Sequence, residues 1–280
     1  MQFLYHQNAG ESPLTLSDET FHYLFKVRRI APNEHIKMRN LRDKNLYIYA
    51  IAQVQKKSAL IEIVGLESTN PADSKHSNEE DFTLSNTTQD FRASVCQSPA
   101  LHLLWAIIEP KVIEKTLPFL NELDVARISF FYAQFSQRQF APSLERLNKI
   151  LIQSCQQCGR TNLMDLEIFK SFDEVCTAYT PFYAFDFGGE DIRAFMPYRE
   201  STQSNATRDL ESTRLKFAQD SKIIPQDSQT LRIMVGAEGG FSDAERARFD
   251  KIVSLKEGTI LRSESACVFL ASIAKLWQKP

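Results

Sequence analysis

A chain of 280 residues is long for one hydrophobic core and comfortable for two domains. Hydrophobic residues make up 43% and charged residues 24%, ordinary for a soluble globular protein, and no apolar run approaches the roughly 18 residues of a membrane span. The net charge of −2 excludes a surface coated in positive charge, and the opening MQFLYHQNAGESP has neither the basic start nor the apolar core of a signal peptide, so a cytoplasmic protein with no membrane partner is expected.

In chain order, Ser17 is a candidate helix N-cap, followed by Phe21, Leu24 and Phe25 on one helical face. Next come EHIKM, LYIYAIAQV and ALIEIVG, rich in Ile, Val and Tyr and separated by polar turns such as RDKN. Residues 1–66 therefore predict a compact, mostly β unit, a small barrel. From His22 to Lys44, Lys26, Arg28, Arg29, Lys37, Arg39, Arg42 and Lys44 cluster against only Glu34 and Asp43. Such a run is ordinarily a solvated face, and its concentration in one small domain also suits phosphate contacts.

Residues 67–92 have few large apolar side chains and an excess of acid, the composition of a linker. Beyond it the rhythm changes. The runs 101–108, 126–132, 182–187 and 231–236 suit buried strands, and helical segments at 111–123 and 143–158 lie between them. Alternation of this kind predicts an α/β domain with a largely parallel sheet over 93–280. A polar stretch at about 189–228 interrupts it as an insertion or lid.

Five cysteines, an odd number, do not form a disulfide framework. Cys155 and Cys158 form a C-x-x-C late in a helix, where Leu144, Leu147, Ile150 and Leu151 recur with them as a stripe suited to burial. A redox pair would sit at a helix start, and a zinc site needs a second ligand pair, so no metal is expected.

Two segments near the C-terminus carry the chemistry. In 231-LRIMVGAEGGFSDAE-245 an apolar strand runs into Gly236, then Glu238, Gly239 and Gly240. Ser242 to Glu245 then reads as a capping box that opens a helix. Glycines there permit a sharp turn and close approach of a ligand to the main chain, although an ordinary strand–turn–helix corner has the same look. The loop lacks the lysine of a phosphate-binding P-loop, and an acid occupies the turn where a dinucleotide fingerprint would hold pyrophosphate. The second segment, 252–277, turns at Lys256-Glu257-Gly258, passes through Ile260, Leu261 and Arg262, and enters an apolar helix. Val268, Leu270, Ala271, Ile273, Ala274 and Leu276 suit burial in that helix. Arg262 and Glu264 stand between strand and helix, where α/β domains bind ligands.

Together these segments resemble the SPOUT methyltransferases, and within them the family that methylates N3 of a uridine in 16S ribosomal RNA. The family loop G-P-E-G-G-F/W-S/T-x-x-E is matched by Gly236-Ala237-Glu238-Gly239-Gly240-Phe241-Ser242 and Glu245. Its second loop, L-G-x-R-I-L-R-x-E-T-A, is matched by Leu255, Gly258 and Ile260-Leu261-Arg262-Ser263-Glu264-Ser265-Ala266. The helix E-R-x-x-x-I-x-x-E-A-x-E-Q-S-G-R is echoed by Glu145-Arg146, Ile150, Gln157 and Gly159-Arg160. His22 and Val27-Arg28-Arg29-Ile30 resemble the family's N-terminal H-x-x-x-x-V-L-R-L, so the likeness spans the chain in the family's order. There are departures. Ala237 replaces the loop proline, Gln153 a helix glutamate, Asn33 a turn glycine, and Phe119 a common lysine. Ala133-Gln134-Phe135-Ser136 stands where the family has T-E-R-S, and so loses an arginine.

The resemblance implies an α/β SPOUT domain with a deep trefoil knot and a parallel sheet, plus an N-terminal PUA-like small β-barrel that binds RNA. It implies S-adenosylmethionine held by Gly236, Glu238, Gly239, Gly240, Leu255, Gly258, Ile260 and Leu261, at a homodimer interface. The expected partner is 16S ribosomal RNA within the small subunit, gripped through Arg28, Arg29, Lys37, Arg39 and Arg160. Arg262 is expected to stabilise charge, with Glu238 or Glu264 orienting the base. Competing readings are a SPOUT enzyme for another RNA or base atom, and an RNA-binding assembly factor whose cofactor site has decayed. A nucleotide-phosphate-binding protein is disfavoured by the missing lysine.

Overall fold

The computed structural model describes residues 2–67, 100–192, 230–256 and 260–277. The described residues divide into two compact units, one within 1–94 together with 149–163, the other within 95–148 together with 164–280. The expected linker, apart from Glu67, and nearly all of the expected insertion lie outside the described residues.

The first unit contains β1 (Leu4–Tyr5), β2 (Leu14–Leu16), α1 (Asp18–Phe21), a π-helical turn (His22–Val27), β3 (Ile36–Arg39), β4 (Leu46–Val54) and β5 (Ala59–Glu67). Its five strands lie in the order β1-β3-β4-β5-β2, antiparallel except for β1 beside β3. Leu14, Leu16, Ile36, Met38, Tyr49 and Ile61 from the strands enclose Leu24 of the π-helix, so one apolar cluster joins sheet and helix. Ser17 occupies the N-cap position but makes no side-chain cap bond; its hydroxyl donates to Asp18 instead. The expected turn between β3 and β4 is built by Asn40, whose side-chain oxygen accepts from the Arg42 and Asp43 amides. The very short β1 and β2 carry too few residues to show period-two alternation, which is why the pattern did not reveal them.

The second unit holds β6 (Ala100–Ala106), α2 (Pro110–Glu122), β7 (Arg127–Phe131), the start of α3 (Leu144–Cys158), β8 (Asp165–Phe169), α4 (Phe172–Tyr179) and β9 (Tyr183–Asp191). It continues with β10 (Thr230–Val235), α5 (Asp243–Arg246), β11 (Ile252–Ser254) and α6 (Ser263–Trp277). The six strands form one wholly parallel sheet in the order β11-β9-β10-β6-β7-β8. β6 is buried from Leu101 to Ala106, as a strand covered on both faces must be. α6 packs on α2, β6 and β10, burying Ala266, Leu270, Ala271, Ile273 and Ala274. Leu276, expected inside, is 76% exposed, because it falls in the last turn beyond the reach of the sheet.

Three further corrections concern the sequence expectations. Gly189–Asp191 belong to β9 rather than to the insertion. Cys158 is exposed, while Cys155 packs with Phe3, Leu41 and Leu46 in the first unit. The helical stripe turns out of register with the core at the end of α3, so only its earlier members are covered. Two other thiols are held protonated: burial pushes Cys176 up to about 11 and Cys267 well above its ordinary value.

Candidate active site

The sheet grows outward from β6 through β7 to β8, then resumes on the other side, with β10 inserted between β9 and β6. Neighbouring strands thus lead their connections in opposite directions at β10 and β6, and the crevice at their C-terminal ends is where such sheets bind ligands. A cleft of about 1020 Å³ opens there. Gly236, Ala237, Glu238, Gly239 and Gly240 line one side, and Leu255, Ile260 and Leu261 another. Arg262 and Glu264 border the same cleft. Every expected cofactor residue within the described residues therefore converges on one place; Gly258 lies outside them.

The glycine loop is held by side chains from elsewhere. The Trp105 indole, wholly buried on β6, donates to the Ser263 hydroxyl at 2.8 Å. Ser263 in turn donates to the Gly236 carbonyl at 2.6 Å. This chain ties the ends of β6 and β10 to the first residue of α6, so both loops that border the cleft share one buried anchor. Beyond the glycines, Ser242 and Glu245 form the expected capping box, with the Ser242 amide donating to Glu245 Oε2 at 2.9 Å. The helix it opens, α5, is a single turn. Glu245 does more than cap: its Oε1 accepts from the Gln134 amide at 2.9 Å, which fastens the turn after β7 to the glycine loop.

The third wall was not expected. β9 pairs with β11 at Ala184↔Ile252 and next at Glu190↔Val253, so Phe185–Gly189 stand outside that ladder. Phe185, Asp186 and Phe187 from this bulge line the cleft. Phe187 is 61% exposed, whereas the Asp186 side chain is only 5% exposed and faces Arg246 of α5. The Arg246 Nη2 donates to Asp186 Oδ1 at 3.3 Å; Nε lies 2.7 Å from Oδ2, close for an ion pair but out of line for a hydrogen bond. Nothing local in FDFGG marks it as a wall, because the bulge is created by pairing with a strand far along the chain.

The expected RNA-contacting residues divide. Arg28 and Arg29 are exposed at the end of the π-helix, Arg29 with φ of 53°. Lys37 is exposed and pairs with Glu67 at 3.4 Å. Arg39 and Arg160 are buried, which corrects their assignment to a phosphate-facing surface. Arg39 donates to the Lys44 carbonyl and lies over the Phe3 ring, and Arg160 donates to the Asn162 carbonyl at 3.1 Å. Both guanidiniums are engaged in closing turns. Among the described residues no three His, Cys, Asp or Glu side chains gather as a metal site, and no helix is long and apolar enough to cross a membrane.

The chain matches the model of an RNA methyltransferase domain over residues 96–275, and that of an RNA methyltransferase PUA domain over 16–64. It is 35% identical over 281 residues to the ribosomal RNA small subunit methyltransferase E of two Helicobacter pylori strains, across 99% of this chain and 100% of theirs. Among solved structures it resembles a ribosomal RNA small subunit methyltransferase E from Neisseria gonorrhoeae bound to S-adenosylmethionine, with 19% identity and a TM-score of 0.66 over 99% of this chain and 98% of that one. A Legionella pneumophila methyltransferase with bound S-adenosylmethionine has 18% identity and a TM-score of 0.65, over 98% and 97% of the two chains. The parallel sheet with its glycine loop and the curled N-terminal sheet are thus those of an RNA methyltransferase with a PUA domain, and the chain belongs to the ribosomal RNA small subunit methyltransferase E family.

Proposed function

We propose that this protein transfers a methyl group from S-adenosylmethionine to N3 of a uridine in the 16S ribosomal RNA of the small subunit. The observation that carries the reading is the convergence of Gly236–Gly240 with Leu255, Lys256, Ile260 and Leu261 on one cleft with Arg262 at its border. The lining suits the cofactor's chemistry. Phe185, Phe187, Val112 and Ile260 offer apolar surface to a nucleoside, and Glu109 and Glu238 offer negative charge to its cationic end. Bound there, S-adenosylmethionine supplies an electrophilic methyl group.

The chain's own task is to present the base and manage its proton. Uridine N3 lies on the Watson–Crick edge, so the base must be unpaired or flipped out. Its N3 proton has to pass to solvent water, and the exposed Arg262 guanidinium stabilises the resulting anion. Glu238, exposed, and Glu264, half-buried at the start of α6, orient the base. Arg28, Arg29 and Lys37 contribute phosphate contacts that position the RNA without reading its sequence. We also carry over the class's deep trefoil knot in the C-terminal domain, its homodimer across the cofactor sites, and a cytoplasmic location.

The test is methylation of 16S RNA, naked and in small subunits, with mapping of the modified atom. Methyl on uridine N3 supports the reading; methyl on another atom or another RNA refutes it. With Arg262→Ala, kcat should fall about 10²- to 10³-fold while calorimetric affinity for S-adenosylmethionine is unchanged. A normal rate would remove Arg262 from the chemistry.

A further inference from the structure

We infer that Phe135 is a stacking platform for a base of the RNA substrate at the edge of the methyl-transfer cleft; the inference rests on the RNA methyltransferase reading above. Phe135 sits in the turn that follows β7 and is 49% exposed. The turn is built to hold it. Within it the Ser136 hydroxyl accepts from the Ala133 amide at 3.1 Å, and the Ser136 amide donates to the Ala133 carbonyl at 3.1 Å. From outside, buried Glu245 accepts from the Gln134 amide while its other oxygen serves the cap of α5. A mobile apolar side chain could fold away from water. The backbone around this one is fixed by three hydrogen bonds, and the residue is left half-exposed.

Its other half rests against Gly239 of the glycine loop. A Cβ added to Gly239 would lie 3.0 Å from the Phe135 Cβ and 3.3 Å from its Cγ, so the glycine is what allows the phenylalanine to approach the cofactor loop. Gly239 lines the cleft, and Phe135 packs against Gly239 just outside the cleft's own lining. An aromatic face is the surface on which unpaired bases are held, and it tolerates any base because every base has a π-face. The same position loses the arginine of the T-E-R-S pattern, so this chain offers a stacking face where a charge would grip phosphate or base edge.

The experiment uses the full-length protein and the substitutions Phe135→Ala, Phe135→Leu, Phe135→Tyr and Phe135→Trp. Steady-state methylation of 16S RNA should show KM for RNA raised about 5- to 150-fold in the alanine variant. Leucine, which keeps the contact with Gly239 but has no π-face, should be impaired as well, and tyrosine should restore the wild-type value. Affinity for S-adenosylmethionine should be the same in all of them. In the tryptophan variant, a short single-stranded oligoribonucleotide containing uridine should quench the added indole fluorescence, and this readout stands even if methyl transfer to 16S RNA is never observed. The inference is overturned if leucine matches wild type, if alanine weakens the cofactor rather than RNA, if alanine alters only the association of two copies of the chain, or if the oligonucleotide leaves the indole signal unchanged.

Discussion

The two ends of the six-stranded parallel sheet treat polar groups in opposite ways. At the N-terminal end, on one face, the titratable side chains are spent on each other. Ser129 donates to Glu167 at 2.5 Å, Tyr179 donates to the same oxygen at 2.6 Å, and Arg127 donates to the Tyr179 hydroxyl at 3.1 Å. With the Ser129 hydrogen committed to Glu167, His102 must be the donor in its 2.7 Å contact with Ser129, as the neutral Nε2–H tautomer. Burial, with repulsion from Arg127 and Arg232, holds its pKa down to about 3. A serine, a histidine and a glutamate thus lie in one row with no free nucleophile among them. At the C-terminal end buried Ser263 and Glu245 fix loops, Asp186 is paired with Arg246, and the cleft is also bordered by main chain and by the exposed charges of Glu238 and Arg262. A cluster of ionisable groups is therefore a poor guide to this molecule's chemistry. The better guide is the place where charges stand exposed beside a glycine loop.

That contrast can be broken by mutation, and the largest effect should come from the glycine loop. A Cβ at Gly236 would meet the Gly240 carbonyl carbon and a Phe241 ring carbon at 3.1 Å, both of which shape the cleft. Gly236→Val should weaken S-adenosylmethionine about 10- to 100-fold by calorimetry, the equivalent of an overpacked core position, with the fold retained by circular dichroism. Intact binding with lost stability would erase the distinction between the two ends.

Ser263→Ala comes next and should strike both properties. It strands the Trp105 N–H and the Gly236 carbonyl in the interior, at about 1–3 kcal/mol for each group. Urea unfolding should report that loss, and cofactor titration should weaken in parallel.

The histidine gives a pH signature confined to stability. In the unfolded chain His102 titrates near its ordinary value of about 6.5. In the native protein it stays neutral down to about 3, so below pH 6.5 only the unfolded state takes up this proton. Stability present above 6.5 is then lost as the pH falls toward 3, by about 2 kcal/mol between 6.5 and 5. His102→Gln should remove that part of the acid sensitivity in urea midpoints while leaving kcat and cofactor affinity unchanged. The smallest effect belongs to the exposed pair of Arg127 and Asp165 at 3.2 Å. Asp165→Asn should alter stability by less than about 0.5 kcal/mol and activity not at all.

The legibility of the molecule follows the range of the interactions that shape it. β6, β7 and β10 were visible as apolar runs because both faces of the sheet are covered there. β8 was not, since Asp165 and Glu167 interrupt it at the sheet's edge, and α4 and β11 are too short to show a period. The glycine loop and capping box could be read because their partners are neighbours in sequence. The Trp105–Ser263 contact, the Asp186–Arg246 pair and the bulge in β9 each depend on residues brought together from distant segments, so no local pattern announces them. Arg39 misled for the same reason: a charged residue in a basic run looks solvated until the turn it closes is known, and Arg160, taken from the family motif, likewise proved to close a turn.

The helix α3 has a consequence for any attempt to study the parts separately. Its C-terminal stretch and the turn after it, 149–163, pack with the N-terminal strands: Cys155 and Ile152 join Phe3, Tyr5, Leu41 and Leu46, and the Gln156 side chain accepts from the Tyr5 amide at 2.9 Å. A protein fragment cut anywhere between 68 and 99 would be incomplete on both sides of the cut. The shorter piece would lack a segment that covers its apolar surface, and the longer would carry that segment with nothing to cover. Swapping PUA domains between relatives would have to exchange 149–163 along with the leading strands.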